Sequence, residues 1–220
     1  MFITFEGGEG SGKSTQARAL AERLERLGDD VVLTREPGGT AFGELARSIV
    51  LHRAASPDGE PFRLDETAEL LVFAAARAQH VDELIRPALA RGAVVICDRF
   101  ADSTVAYQGY GRGISLDLVE QSVALATRGV RPDLTLLLDL APELGIARRL
   151  GERAPDQIER EALAFHTRIH AGFRALAARE PGRIVVIDGG SDPTVVGEAV
   201  WSAVSARLGR QRSGGSRRRS

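Results

Sequence analysis

The stretch Phe2-Ile3-Thr4-Phe5-Glu6-Gly7-Gly8-Glu9-Gly10-Ser11-Gly12-Lys13-Ser14-Thr15 decides how this chain is read. Its first five residues form an apolar run with strand character, and Gly7 to Ser14 match the phosphate-loop pattern G-x-x-x-x-G-K-[ST] at every fixed position. Ala17, Leu20, Ala21, Leu24 and Leu27 then recur at helical spacing until Gly28. Strand, glycine turn and helix therefore stand in the order such a loop requires. Backbone N–H groups of the loop and the positive end of the helix would cradle phosphates, and the Ser14 hydroxyl would hold Mg²⁺. Lys13 is the only lysine among the 29 Lys+Arg residues. Arginine fills every other cationic position, so Lys13 marks a task that needs a compact charge on a slim stem reaching along the loop.

Outward from the loop, four more apolar, β-branched runs stand at Val31–Arg35, Ala93–Asp98, Leu134–Leu140 and Ile184–Asp188, separated by segments of helical periodicity. The pattern predicts an α/β fold with a five-stranded parallel sheet and helices on both faces, one domain over residues 1–208. Ligands of such a sheet lie beyond the carboxyl ends of its strands. The phosphate loop, Arg35-Glu36-Pro37-Gly38-Gly39 and Asp98-Arg99 all fall there. From Glu66 to about Arg86 the spacing predicts a long helix, apolar over most of its surface and ended or kinked at Pro87. A homodimer contact is the simplest use of its second face.

Pro142 opens a helix that runs through Arg148, Arg149 and Arg153 to Ala154-Pro155-Asp156, before a helix carrying Phe165, Ile169, Phe173 and Leu176. This arginine-rich interruption, about 148–157, reads as a phosphate-clamping lid, the blander alternative being a solvated connector. Composition is that of a soluble globular protein, 43% hydrophobic and 27% charged over 220 residues. A net charge of −1 supplies no field for nucleic acid, so no nucleic-acid partner is required. Residues 209–220, rich in Gly, Ser and Arg, read as a disordered basic tail, and Ser56–Arg63 as a flexible loop. The single cysteine, Cys97, permits no internal disulfide and suits buried packing. No leader pattern and no apolar run of about 18 residues is present, which points to a soluble cytoplasmic protein without membrane association.

A phosphate loop alone does not separate switches, motors and kinases. Guanine-nucleotide switches of the usual build need an Asn-Lys-x-Asp motif, and this chain has no asparagine. An ATPase with a macromolecular partner remains an alternative, although lid arginines and an arginine after the third strand would then lack an obvious purpose. Phe5-Glu6-Gly7, Thr34-Arg35-Glu36-Pro37-Gly38-Gly39-Thr40, Phe73-Ala74-Ala75-Ala76-Arg77 and Asp98-Arg99-Phe100 recur here with Ser103-Thr104, Ala106-Tyr107-Gln108-Gly109 and Arg131-Pro132-Asp133. In these motifs the sequence resembles the thymidylate kinase family, P-loop nucleoside monophosphate kinases that phosphorylate dTMP, from residue 2 to about residue 208. The resemblance implies ATP as donor, Mg²⁺ as cofactor and dTDP as product, with a kinase for another pyrimidine monophosphate as the nearest rival.

The resemblance also implies roles. Gly7 to Thr15 would bind ATP. Arg99 and Arg35 would grip the dTMP phosphate, a planar fork on a phosphate being an arginine speciality. Phe73 would stack on thymine and Arg77, four residues on, would reach a thymine carbonyl; without the resemblance these read as a core phenylalanine and a surface arginine. Thr104 would bond the base edge, Ser103 and Gln108 would complete the dTMP site, Tyr107 would crowd the position of a 2′-hydroxyl, and Glu9 would contact the sugar 3′-hydroxyl or its hydration. Asp98 would join Ser14 at Mg²⁺, or instead orient Arg99 or Arg35 through a salt bridge. Loop positions 8 to 11 hold no arginine, so the lid must supply the catalytic one: Arg153 with Arg149 is favoured over Arg148, and Gln157 departs from relatives with an arginine before the Ile-Glu pair. Lys13, Arg99, Arg149 and Arg153 are thus the expected catalytic set.

Three other features carry blander readings. His166 and His170, at helical spacing, lack a third metal ligand in the sequence. Gly109-Tyr110-Gly111-Arg112-Gly113 reads as a flexible turn, and Trp201 as a packing residue.

Overall fold

The computed structural model describes residues 1–51, 64–150 and 161–209. Arg153, the Ala154-Pro155-Asp156 segment, Gln157, the Ser56–Arg63 loop and the tail from Arg210 onward, all singled out by sequence, lie outside the described residues.

Five strands, β1 (Phe2–Glu6), β2 (Val31–Arg35), β3 (Val94–Asp98), β4 (Leu134–Asp139) and β5 (Ile184–Asp188), form one parallel sheet in the order β2-β3-β1-β4-β5. The five expected runs are these strands, with ends differing by one residue at Ala93 and at Leu140. β1 is central: Ile3 pairs in register with Ile96 on one side and Leu134 on the other.

Side chains alternate between two faces, as the period of a strand requires. Ile3, Phe5, Ile96, Leu134 and Leu136 point to a core capped by α1 (Lys13–Arg26) and α9 (Pro193–Arg207), which supplies Val196, Val200 and Trp201. Trp201 is the packing residue expected, with the Arg23 guanidinium 4.0 Å above its ring. The opposite face buries Phe2, Val95 and Cys97 against Val81, Ile85 and Phe100, and Leu137 against Phe165, Ile169 and Phe173 of α8 (Leu163–Arg179). Cys97 is wholly buried, and that burial pushes its thiol pKa well up.

Two expectations need correction. The helix α3 (Glu66–His80) does not stop at Pro87: it widens into a π-helical segment, Val81–Ile85, and continues as α4 (Arg86–Ala90). A proline has no N–H to give the carbonyl four residues back, and here Pro87 follows directly on the wider π-helical turn. The chain turns only at Gly92, φ 85°. Likewise Gly109 and Gly111 are not in a flexible turn. They belong to a second π-helical segment, Val105–Gly111, that continues α5 (Ala101–Thr104). Gly111 faces α8 so closely that a Cβ there would lie 2.8 Å from the Phe165 ring.

Candidate active site

The phosphate loop closes on itself and on its neighbours. Gly7, at φ +138°, has its missing Cβ only 2.4 Å from the Leu138 carbonyl oxygen, and Gly10, at φ +66°, only 2.3 Å from that of Gly145 in α7 (Pro142–Leu150). Neither position accepts a side chain. Ser11 Oγ donates to the Gly8 carbonyl at 2.9 Å, and Lys13 Nζ donates to the same carbonyl at 2.6 Å and to Ser11 Oγ at 3.1 Å. Lys13 is 6% exposed; burial, with Arg99 nearby, lowers its ammonium to about 8.

Ser14 Oγ donates to Asp98 Oδ2, while Asp98 Oδ1 is buried without a partner among the described residues. The alternative for Asp98, an ion pair to Arg99 or Arg35, is not formed: Arg99 pairs with Glu9 and Arg35 with Glu44. No group of three or more His, Cys, Asp or Glu among the described residues is arranged to hold a metal. One hydroxyl and one carboxylate with a bare oxygen fit a hard cation that keeps several waters and takes further oxygens from phosphates, as Mg²⁺ does.

Arg99 occupies the left-handed region, φ 71°, a costly conformation for a residue with a side chain. The turn is held from β1. Arg99 N–H donates to the Phe5 carbonyl at 2.9 Å, Phe100 N–H to Glu6 Oε1 at 2.7 Å, and Ser103 Oγ to Glu6 Oε2 at 2.5 Å. Glu6 is wholly buried, and burial, helped by Asp102, pushes its carboxyl up to about 8. So fixed, the Arg99 guanidinium donates to Gly7 O at 3.1 Å and to Glu9 Oε1 at 2.6 Å, lying 5.0 Å from the centre of the Tyr107 ring. Tyr107 donates its hydroxyl to the same Glu9 oxygen at 2.9 Å. Burial alone would raise Glu9, but Arg99 and then Lys13 hold it down to about 2. Two stretches some ninety residues apart in the chain thus meet on one carboxylate.

Beside this cluster opens a cavity lined by Phe73, Arg77, Thr104, Tyr107 and Gln108, with Ser103 at its wall. Arg77 is not a surface residue: it is 2% exposed. Its Nε donates to Glu36 Oε2 at 2.8 Å and its Nη2 to the Phe100 carbonyl at 3.1 Å, while Nη1 is buried with no partner among the described residues. The other Glu36 oxygen is 2.9 Å from His80 Nδ1, and His80 Nε2 is 2.8 Å from Thr34 Oγ1. No role was assigned to Glu36 or His80 from sequence. The available signal was a glutamate placed beside a proline at a strand end, within a motif already quoted.

The cleft over the phosphate loop and this cavity share Glu9, Glu36, Arg47, Arg99 and Arg149 as common wall. Arg35 stands at the cleft as well, but its side chain is 54% exposed and bonded to Glu44 at 3.0 Å. Arg148 lines neither space and is taken up by backbone, its Nη1 donating to the Gly189 carbonyl at 2.9 Å and to that of Gly10 in the phosphate loop at 3.5 Å. His170 Nε2 lies 2.7 Å from Asp139 Oδ1.

Residues 5–200 match the family model described as Thymidylate kinase. The chain is 58% identical over 209 residues to the thymidylate kinase of Synechococcus sp. (strain JA-3-3Ab), covering 94% of this chain and 97% of that protein. It is 51% identical over 215 residues to the thymidylate kinase of Gloeobacter violaceus, covering 97% and 98%. The crystal structure of thymidylate kinase from Ehrlichia chaffeensis is similar with a TM-score of 0.73 at 38% identity, over 93% of this chain and 98% of that one. A phosphate loop joined through Arg99 to a second, aromatic-lined cavity, and likeness of this extent in sequence and structure, place the chain in the thymidylate kinase family.

Proposed function

We propose that this chain is an ATP:dTMP phosphotransferase whose donor lies over Gly7 to Thr15 and whose acceptor fills the cavity of Phe73, Arg77, Thr104, Tyr107 and Gln108. The observation that carries this reading is the common wall of cleft and cavity, which Arg99 and Arg149 both line. The acceptor needs no strong general base, because a phosphate monoester with a second pKa near about 6 is already mostly dianionic at neutral pH. The obstacle is repulsion between two polyanions. Lys13 would draw charge from the β/γ-phosphates, and Arg99 and Arg35 from the acceptor phosphate, holding its oxygen in line with the γ-phosphorus. Arg149, and Arg153 from the segment beyond α7, would meet the charge that develops on the transferred group. Ser14 and Asp98 would hold Mg²⁺, which when bound would supply charge neutralisation for the phosphates. Glu9, kept ionised by Arg99 and Lys13, would fix the Arg99 fork and accept from the sugar 3′-hydroxyl, and the Tyr107 ring would occupy the space of a 2′-hydroxyl.

A homodimer follows the same reading: Leu45 of α2 (Ala41–Val50), Leu71 of α3 and Leu118 of α6 (Leu116–Thr127) are 65%, 59% and 58% exposed on three helices packed side by side. A cytoplasmic setting accords with the absence, among the described residues, of any helix long and apolar enough to cross a membrane. The test is ADP release from Mg·ATP with dTMP, dUMP, dCMP, UMP, AMP or no acceptor. Turnover led by dTMP supports the reading, preference for another monophosphate reassigns the base cavity, and acceptor-independent release makes the protein an ATPase.

A further inference from the structure

Glu69, Phe73 and Arg77 follow one another at four-residue spacing on α3, so all three lie on one helix face, on which Phe73 and Arg77 line the acceptor cavity. Glu69 stands one turn beyond that cavity and is 7% exposed. Arg112 donates Nε to Glu69 Oε1 at 3.3 Å and Nη2 to Oε2 at 3.1 Å, and Arg112 Nη1 is held in turn by Glu161. Gln108 Nε2 donates to Glu69 Oε1 at 2.8 Å. A guanidinium only donates, so both Glu69 oxygens are acceptors, and the amide that meets them must present its NH₂ group. That fixes a choice which an amide otherwise leaves open, since its oxygen and nitrogen ends are nearly equal in shape. Gln108 lines the cavity, and the polar end left to it is the carbonyl oxygen.

We infer that Glu69 is a specificity-determining positioning residue: by holding the Gln108 amide in one sense, it makes the cavity present an acceptor to the ring N–H of thymine. This rests on the proposed placement of the base in that cavity. Arg77 lines the same cavity, and its Nη1, buried without a partner among the described residues, is the donor it has left. A donor beside an acceptor matches a pyrimidine with a carbonyl at C4 and a hydrogen on N3. Cytosine reverses both, with an amino group at C4 and a bare N3, and would leave two buried mismatches. Glu69 touches no reacting atom; it acts only through Gln108.

The experiment is the ratio of kcat/KM for dTMP to that for dCMP in the wild type, Glu69→Gln, Gln108→Leu and the double variant, each checked for folding by its thermal transition. Gln at 69 can offer an NH₂ group to the Gln108 oxygen, which frees the Gln108 amide to turn its own NH₂ to a bare N3. Glu69→Gln is therefore expected to narrow the dTMP-to-dCMP ratio by about tenfold or more, chiefly through a rise for dCMP, and to have no further effect once residue 108 is leucine. A merely structural Glu69 would lower both substrates together and keep the ratio, which overturns the inference. If Gln108→Leu itself leaves the ratio unchanged, the base does not lie against Gln108, and the placement of the base falls together with the inference.

Discussion

Ser14 Oγ donates to Asp98 Oδ2 between the first turn of α1 and the carboxyl end of β3, and leaves the second carboxylate oxygen of Asp98 buried without a partner among the described residues. A bare buried carboxylate oxygen is costly unless a ligand completes it. Asp98→Asn keeps the shape and the bond to Ser14 but removes the charge. We expect the free Mg²⁺ concentration for half-maximal turnover to rise by about tenfold, with the rate largely restored at high metal. Initial rates against free Mg²⁺ at saturating nucleotides decide it; an unshifted curve would remove Asp98 from the metal site.

Lys13 gives a second prediction, in protons. Burial, with Arg99 nearby, brings its pKa from 10.5 to about 8, so the protein without nucleotide sheds this proton well before an exposed lysine does. Anionic phosphate oxygens beside Nζ favour the charged form. Binding of ATP at pH 8.5 should therefore take up a proton fraction that calorimetry in two buffers of different ionisation heat will register, and Lys13→Ala should abolish it. The same shift has a stability consequence: between pH 8 and 10.5 the unfolded chain holds more protons than the folded one, so this group makes the fold gain stability as pH rises through that window.

Glu6 works in the opposite direction. Its carboxyl is raised to about 8 by burial and by Asp102, against the Ser103 hydroxyl, Arg99 and the Phe100 N–H that favour its ionised form. The folded state then binds more protons than the unfolded state between pH 4.5 and 8, and stability falls as pH rises through that interval, by something on the order of a few kcal/mol. Glu6→Gln can still accept from Phe100 N–H and meet Ser103, and has nothing to titrate. Thermal unfolding midpoints at pH 5 and pH 8 should differ less in this variant than in the wild type; equal pH slopes would show that Glu6 does not titrate there.

The sheet was legible because its strands are nearly continuous apolar runs, buried on both faces as a parallel sheet demands, and the phosphate loop because its glycines and its lysine have few substitutes. Arg99 was legible as a candidate site residue, but not its left-handed backbone, since nothing in Asp98-Arg99-Phe100 announces a positive φ. That conformation is imposed from β1 by Glu6, ninety-four positions from Phe100 in sequence. Arg77 could be placed on a helix face yet not in the interior, because an arginine is buried only when a distant partner waits for it, and Glu36 comes from another element. The π-helical widenings at Val81–Ile85 and Val105–Gly111 left no periodic trace either: one extra residue per turn is lost in an apolar pattern that continues on both sides.

The geometry at the end of α7 sets Arg149 apart from Arg148, in the direction the sequence reading favoured. Arg149 borders both the cleft over the phosphate loop and the second cavity, whereas Arg148 donates to the carbonyls of Gly189, Gly190 and Gly10 and so ties α7 to the turn after β5 and to the phosphate loop. A charge placed between two phosphates matters most in the transition state, and a charge that braces backbone matters in the ground state. Arg149→Ala is accordingly expected to lower kcat by about 10³ or more, with KM for dTMP and ATP little changed, by analogy with inserted arginine fingers. Arg148→Ala should act mainly on KM for ATP, with a smaller loss of kcat. Steady-state kinetics with both substrates varied separates the two. If Arg149→Ala turns over within about tenfold of wild type, the transition-state charge comes from elsewhere, and Arg153→Ala is the variant that must then lose the rate.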